Sequence, residues 1–170
     1  MTRGDFLFKW FWYAMALLPV WLAEDLIFSR FPILGVSPML LPLAVAAVAV
    51  LEGSVAGAGF GLGAGLLWSA VLTGPAAPVI FGLSLAGALT GAAAQYGLKQ
   101  GFSGCLICSA AVLGAIDLLR VLRRLAGGSA PLPSLLAVAL PEILVSLLFA
   151  APVYLLFHRV WSKVGGTKLM

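Results

Sequence analysis

Cys105 and Cys108 form a C-x-x-C, the spacing at which two thiols can hold zinc or cycle through a disulfide. A closed zinc site needs four ligands. No second ligand pair is present, and the single histidine, His158, lies far along the chain. Both cysteines fall in the apolar run from Phe102 to Leu119, so they read as small buried hydrophobes.

Glu142 lies several residues inside the last apolar block. An ionisable group at membrane depth is costly and marks function or a partner. If the helix starts at Pro141, Glu142 sits in its first turn, where the helix dipole favours an anion. The alternatives are contact with a partner helix or ligand, and proton chemistry. Asp117 stands three residues before Arg120 and is expected to pair with it on one helical face. Glu52 is expected in a solvated turn. Ser69, Ser84, Ser103 and Ser146 lack any G-x-S-x-G context, and His158 has no acidic neighbour in sequence. A nucleophile with a positioned base is therefore not in view, and we expect no enzyme, no metal and no cofactor.

The elements that must position these residues are set by composition. The 170 residues are 62% hydrophobic and 9% charged, with a mean hydropathy of +1.12, whereas soluble domains carry about 25% charged residues. The expected fold is an all-α membrane protein of about six transmembrane helices in one domain over 1–170. At roughly 20 apolar residues per crossing, no soluble catalytic or nucleic-acid-binding domain fits beside them. The net charge of +4 and pI near 9.4 would suggest nucleic acid in a soluble protein. Here the basic residues sit at span ends and read as topology signals.

The expected spans are 6–22, 38–51, 54–72, 79–96, 102–119 and 135–157. Arg3 and Lys9 stand at the start of the first, as in a signal peptide. Pro19, Trp10, Trp12 and Trp21, with no small-residue cleavage site, indicate that it stays in the mature protein. The second is short and carries Pro42 in its first turn. In the third, Gly57, Gly59, Gly61, Gly63 and Gly65 alternate with larger residues; a lone strand would leave its backbone unpaired in lipid, so a helix is expected. The pairs 57/61, 59/63 and 61/65 are each G-x-x-x-G and would admit close helix packing. Thr73, Gly74 and Pro75 turn into the fourth span, and Lys99 lies in the loop before the fifth.

At the end of the fifth span Asp117, Arg120 and Arg124 share one face, while Leu118, Leu122 and Leu125 lie on another. The helix is expected to emerge as an amphipathic turn at the interface. Six crossings would put both termini on one side, with six Lys/Arg there against Arg30, Arg120, Arg123 and Arg124 on the other. That excess places the termini in the cytoplasm. The arginine cluster reads either as side chains reaching lipid headgroups or as a docking patch for another protein.

Four segments carry a resemblance: Pro38 to Gly53 (PMLLPLAVAAVAVLEG), Gly59 to Gly74 (GFGLGAGLLWSAVLTG), Ala115-Ile116-Asp117, and Leu140 to Arg159 (LPEILVSLLFAAPVYLLFHR). In this order they resemble the rod shape-determining protein MreD family of bacteria. One departure is that the family often has an Asp shortly before the small-residue turn, where this chain has Leu67, Trp68 and Ser69, so no role of that carboxylate carries over. The resemblance implies a non-enzymatic scaffold of the inner membrane that binds MreC in the cell-shape and peptidoglycan-elongation machinery, alongside MreB, RodA and penicillin-binding synthases. It also implies a fold similar to the substrate-binding subunits of energy-coupling-factor transporters. Partner contacts would then involve Arg120, Arg123, Arg124, Asp117 and Glu142. The alternative is a vitamin or micronutrient transporter subunit, whose pocket would draw on Trp68, Gln95, Tyr96 and Glu142.

Overall fold

The computed structural model describes residues 3–28, 30–31, 36–71, 76–97, 101–127 and 132–164. The expected turn at Thr73 to Pro75, the Lys99 loop and Lys168 lie outside them. The described chain is all-helical, 91% of it in helix and none in a strand, so the alternating glycine run is helical.

Among the described residues, seven α-helices follow in order: α1 Arg3–Leu22, α2 Leu40–Glu52, α3 Ser54–Val71, α4 Ala76–Tyr96, α5 Phe102–Ala126, α6 Leu132–Leu148 and α7 Ala150–Lys163. A π-helical segment, Ala23–Phe28, extends α1. Among the described residues, four stretches are long and apolar enough to cross a membrane: Phe8–Phe28, Ala77–Tyr96, Phe102–Ala126 and Ala137–Lys163. Leu40–Glu52 and Ser54–Ala70 are apolar but shorter.

Helix α2 is the axis of the bundle. All 13 of its residues are buried, with α1, α3, α4, α5 and α7 packed around it. At 1.5 Å per residue it is about 20 Å long. Its composition fits that place: Leu, Val and Ala on every side leave no polar stripe to turn outward. Pro42 stands in the first turn, where a missing N–H costs no helical hydrogen bond. The helix ends at Gly53, whose φ of 95° lies in the region open to glycine. That one residue turns the chain directly into α3.

Helices α3 and α4 run antiparallel with their backbones in contact. A Cβ at Gly57 would meet Ala49 and the Gly87 carbonyl, one at Gly61 the Leu83 carbonyl, and one at Gly65 the Ile80 backbone, all within 3 Å. Gly91 passes equally close to the Gly53–Ser54 corner. The packing face is thus 57/61/65. Gly59 and Gly63 lie off it, where an added Cβ would meet nothing within 4 Å, because positions two apart on a helix point about 200° from one another.

The last expected span divides. The chain turns at Phe149 between α6 and α7, and Pro152 then occupies the first turn of α7. A proline ring clashes with the carbonyl four residues back, which for Pro152 is Leu148, and the helix breaks one residue after it. The Phe149 amide bonds instead to the Ser146 carbonyl at 3.0 Å. Because α6 begins at Leu132 rather than at Pro141, Glu142 lies mid-helix and not in a first turn. Helix α5 likewise runs unbroken to Ala126, well past 119, so the arginines belong to the same helix as the span before them.

Candidate functional site

Polar side chains gather at the two ends of α2. At its C-terminal end Lys9 of α1 forms an ion pair with Glu52, Nζ to Oε2 2.5 Å, and Tyr13 donates its hydroxyl to Glu52 Oε1 at 2.8 Å. This corrects two expectations. Glu52 is buried rather than in a solvated turn, and Lys9 is inside the bundle rather than at its rim. A chain that must bury a carboxylate among apolar helices can do so only with its charge and lone pairs matched. Tyr13 also stacks on Phe157 of α7, with centroids 6.3 Å apart and planes 10° from parallel, and meets Phe60 of α3 edge-on.

At the N-terminal end, Glu24 in the π-helical segment accepts hydrogen bonds from the Leu40 and Leu41 amides at 2.9 and 2.7 Å. The Met39 amide donates to Ser146 Oγ at 3.0 Å. Three amides at the start of α2 are therefore met by side chains from remote elements, and the anion lies at the positive end of the helix dipole. π-helical turns recur at functional positions; here the turn lets Glu24 reach α2.

Beside this end lies the cluster anticipated around Arg120. Arg120 Nη1 is 3.1 Å from Glu142 Oε1 on α6 and 3.6 Å from Asp117 Oδ1 one turn back. Arg120 is also within electrostatic reach of Glu24. Asp117, Arg120, Arg124 and Glu142 line one small cavity of about 60 Å³ between α5 and α6. Arg123 and Arg124 are exposed in the last turn of α5. The structure therefore brings together Asp117, Arg120, Arg124 and Glu142, with Arg123 on the neighbouring surface.

A second, larger opening of about 720 Å³ runs between α1 and α3. Its walls are mostly apolar, Trp10, Ala14 and Leu17 facing Val55, Gly59 and Gly63, and Lys9 and Glu52 contribute to its lining. Sequence reasoning missed it. The signal was the second glycine face, whose emptiness depends on what neighbours α3.

Trp68, Gln95, Tyr96 and Glu142 do not converge. Gln95 contacts Ser54 Oγ at 3.3 Å at the Glu52 end, Tyr96 is 89% exposed, and Glu142 belongs to the opposite end. Cys105 and Cys108 are buried, with Cys105 Sγ 3.8 Å from Ser109 Oγ. His158 sits between the rings of Tyr154 and Trp161, each 5.6 Å away. No group of three His, Cys, Asp or Glu side chains among the described residues is placed to hold a metal ion. In comparisons with known proteins, no family model, curated protein or solved structure matches this chain.

Proposed function

We propose that this chain is a non-enzymatic scaffold of the bacterial cytoplasmic membrane, similar to MreD, that binds an MreC-like protein in the cell-shape and elongation machinery. MreB, RodA and a penicillin-binding synthase are further associates on this reading. The chain crosses the bilayer six times in a fold like that of energy-coupling-factor substrate-binding subunits, with both termini cytoplasmic. Alternating helix directions support that topology. Lys9 and Phe157 lie at the Glu52 end of α2, while Glu24, Arg120 and Glu142 lie at the Leu40 end.

The observation that carries the reading is the groove between α1 and α3. It is apolar, and its α3 wall presents Gly59 and Gly63 four residues apart with open space beyond them. A small-xxx-small face admits another membrane helix at close range, and the membrane helix of an MreC-like partner supplies one. The paired state of Lys9, Glu52, Arg120 and Glu142 also suits a protein that works by binding.

Co-expression with an MreC-like protein and purification in mild detergent should recover both chains. Gly59→Leu combined with Gly63→Leu extends side chains into the groove from positions where an added Cβ meets nothing within 4 Å and should abolish recovery. Arg123→Gln with Arg124→Gln tests whether the arginine end contributes. Failure of the unaltered chain to recover any such partner removes the reading.

The same groove favours a second reading, a substrate-binding subunit of an energy-coupling-factor type vitamin transporter. Its volume lies in the range of small-molecule sites. The dispersal of Trp68, Gln95, Tyr96 and Glu142 places this second. A vitamin-like molecule retained through purification would reverse the order.

A further inference from the structure

The small cavity between α5 and α6 holds a chemical requirement that the bundle does not meet. The Asp117 side chain is only 6% exposed. Its Oδ1 lies near Arg120, whereas its Oδ2 is buried with no hydrogen-bond partner among the described residues. A buried carboxylate oxygen without a donor is costly. The missing group is therefore a donor, and with Glu142 lining the same space a cationic donor is favoured.

Two features of the surroundings identify its carrier. The rim is basic, because Arg124 lines the cavity and is exposed, with Arg123 beside it. The flanks are apolar and open: Leu118 and Leu122 on α5 are 59% and 52% exposed, and Leu140 and Leu144 on α6 are 60% and 68% exposed. In a bilayer such faces meet acyl chains. The matching molecule has a small ammonium group, an anion close to it and hydrocarbon tails.

We propose that this cavity binds the headgroup of an aminophospholipid, with its primary ammonium donating to Asp117 Oδ2 and its phosphate paired with Arg124. A primary ammonium brings three N–H donors, and bonds between ionised partners are the stronger kind. A quaternary choline group has no N–H and is bulkier, so it can neither satisfy Asp117 nor enter a space of about 60 Å³ as readily. The groove between α1 and α3 lies on other helices, so this lipid site stands whether or not a protein partner docks there.

The test uses the full chain purified in detergent and titrated with dioleoyl phosphatidylethanolamine, its N-methylated derivatives, phosphatidylcholine and phosphatidylglycerol. Native mass spectrometry reads the bound fraction. Phosphatidylethanolamine should bind about tenfold more tightly than phosphatidylcholine, the lower end of what a charged hydrogen bond contributes, with stepwise loss on methylation. Asp117→Asn should remove that preference, and Arg124→Gln should weaken both lipids alike. Equal binding of the ethanolamine and choline lipids by the unaltered chain overturns the proposal, whether water or a partner's lysine then fills the cavity. A preference for phosphatidylglycerol overturns it too, since the arginines alone would then carry the affinity. Should Asp117→Asn fail to fold, the lipid series on the unaltered chain decides.

Discussion

Lys9 and Glu52, 43 positions apart in sequence, form an ion pair whose side chains are 7% and 2% exposed. With Tyr13 on the other carboxylate oxygen, the pair ties the far end of α2 to α1. Removing one partner leaves a buried charge unmatched, which costs about 3–5 kcal/mol, whereas replacing both with apolar groups costs far less. Lys9→Met and Glu52→Leu should each lower the unfolding midpoint in detergent sharply. The double variant should recover most of the loss, and additive losses would show that the pair is not the source.

The two glycine faces of α3 should respond oppositely to a methyl group. Gly61→Ala drives a Cβ into the Leu83 backbone and should cost about 1–3 kcal/mol by overpacking. Gly59→Ala meets nothing and should be neutral or stabilising by up to about 1 kcal/mol, since alanine loses less entropy in a helix. Thermal unfolding of the two purified variants compares them directly.

Glu24 should protect the start of α2. Glu24→Ala removes the acceptor for the Leu40 and Leu41 amides and should cost about 0.5–2 kcal/mol, the range of a lost cap. Hydrogen exchange should quicken at those amides and leave the middle of α4 unchanged. Uniform quickening would mean that Glu24 holds the whole bundle rather than this end.

Cys105 and Cys108 are 1% and 4% exposed. A membrane-permeant maleimide should leave both unmodified in the folded protein and label both after denaturation in SDS. Cys105→Ala with Cys108→Ala should leave the fold intact, with a modest loss from the smaller volume. Rapid labelling of the native chain would contradict their place in the core.

What the sequence makes legible here is local. Apolar runs and their breaks identify the helices, and the three-residue spacing of Asp117 and Arg120 identifies their shared face. The glycine alternation reveals two faces on α3 but not which one a neighbour fills, because that depends on where α4 packs. Gly53 after Glu52 suggests a solvated turn, whereas the partners that bury Glu52, Lys9 and Tyr13, lie in another helix. Pro141 suggests a helix start beside Glu142, yet a proline inside a helix is tolerated when tertiary packing holds the turn, and α6 begins nine residues earlier. The break at Phe149 was signalled by Pro152, whose clash falls one turn upstream.

Helix α2 is enclosed by pieces from both ends of the chain. Its opening amides reach Glu24 before it and, through Met39, Ser146 at a separation of 107 positions, while α7 packs along its side. During synthesis the axis therefore stays open until the final helices enter the membrane. The last two helices close the bundle, so a chain interrupted before α6 leaves a short apolar helix without the α7 side of its packing.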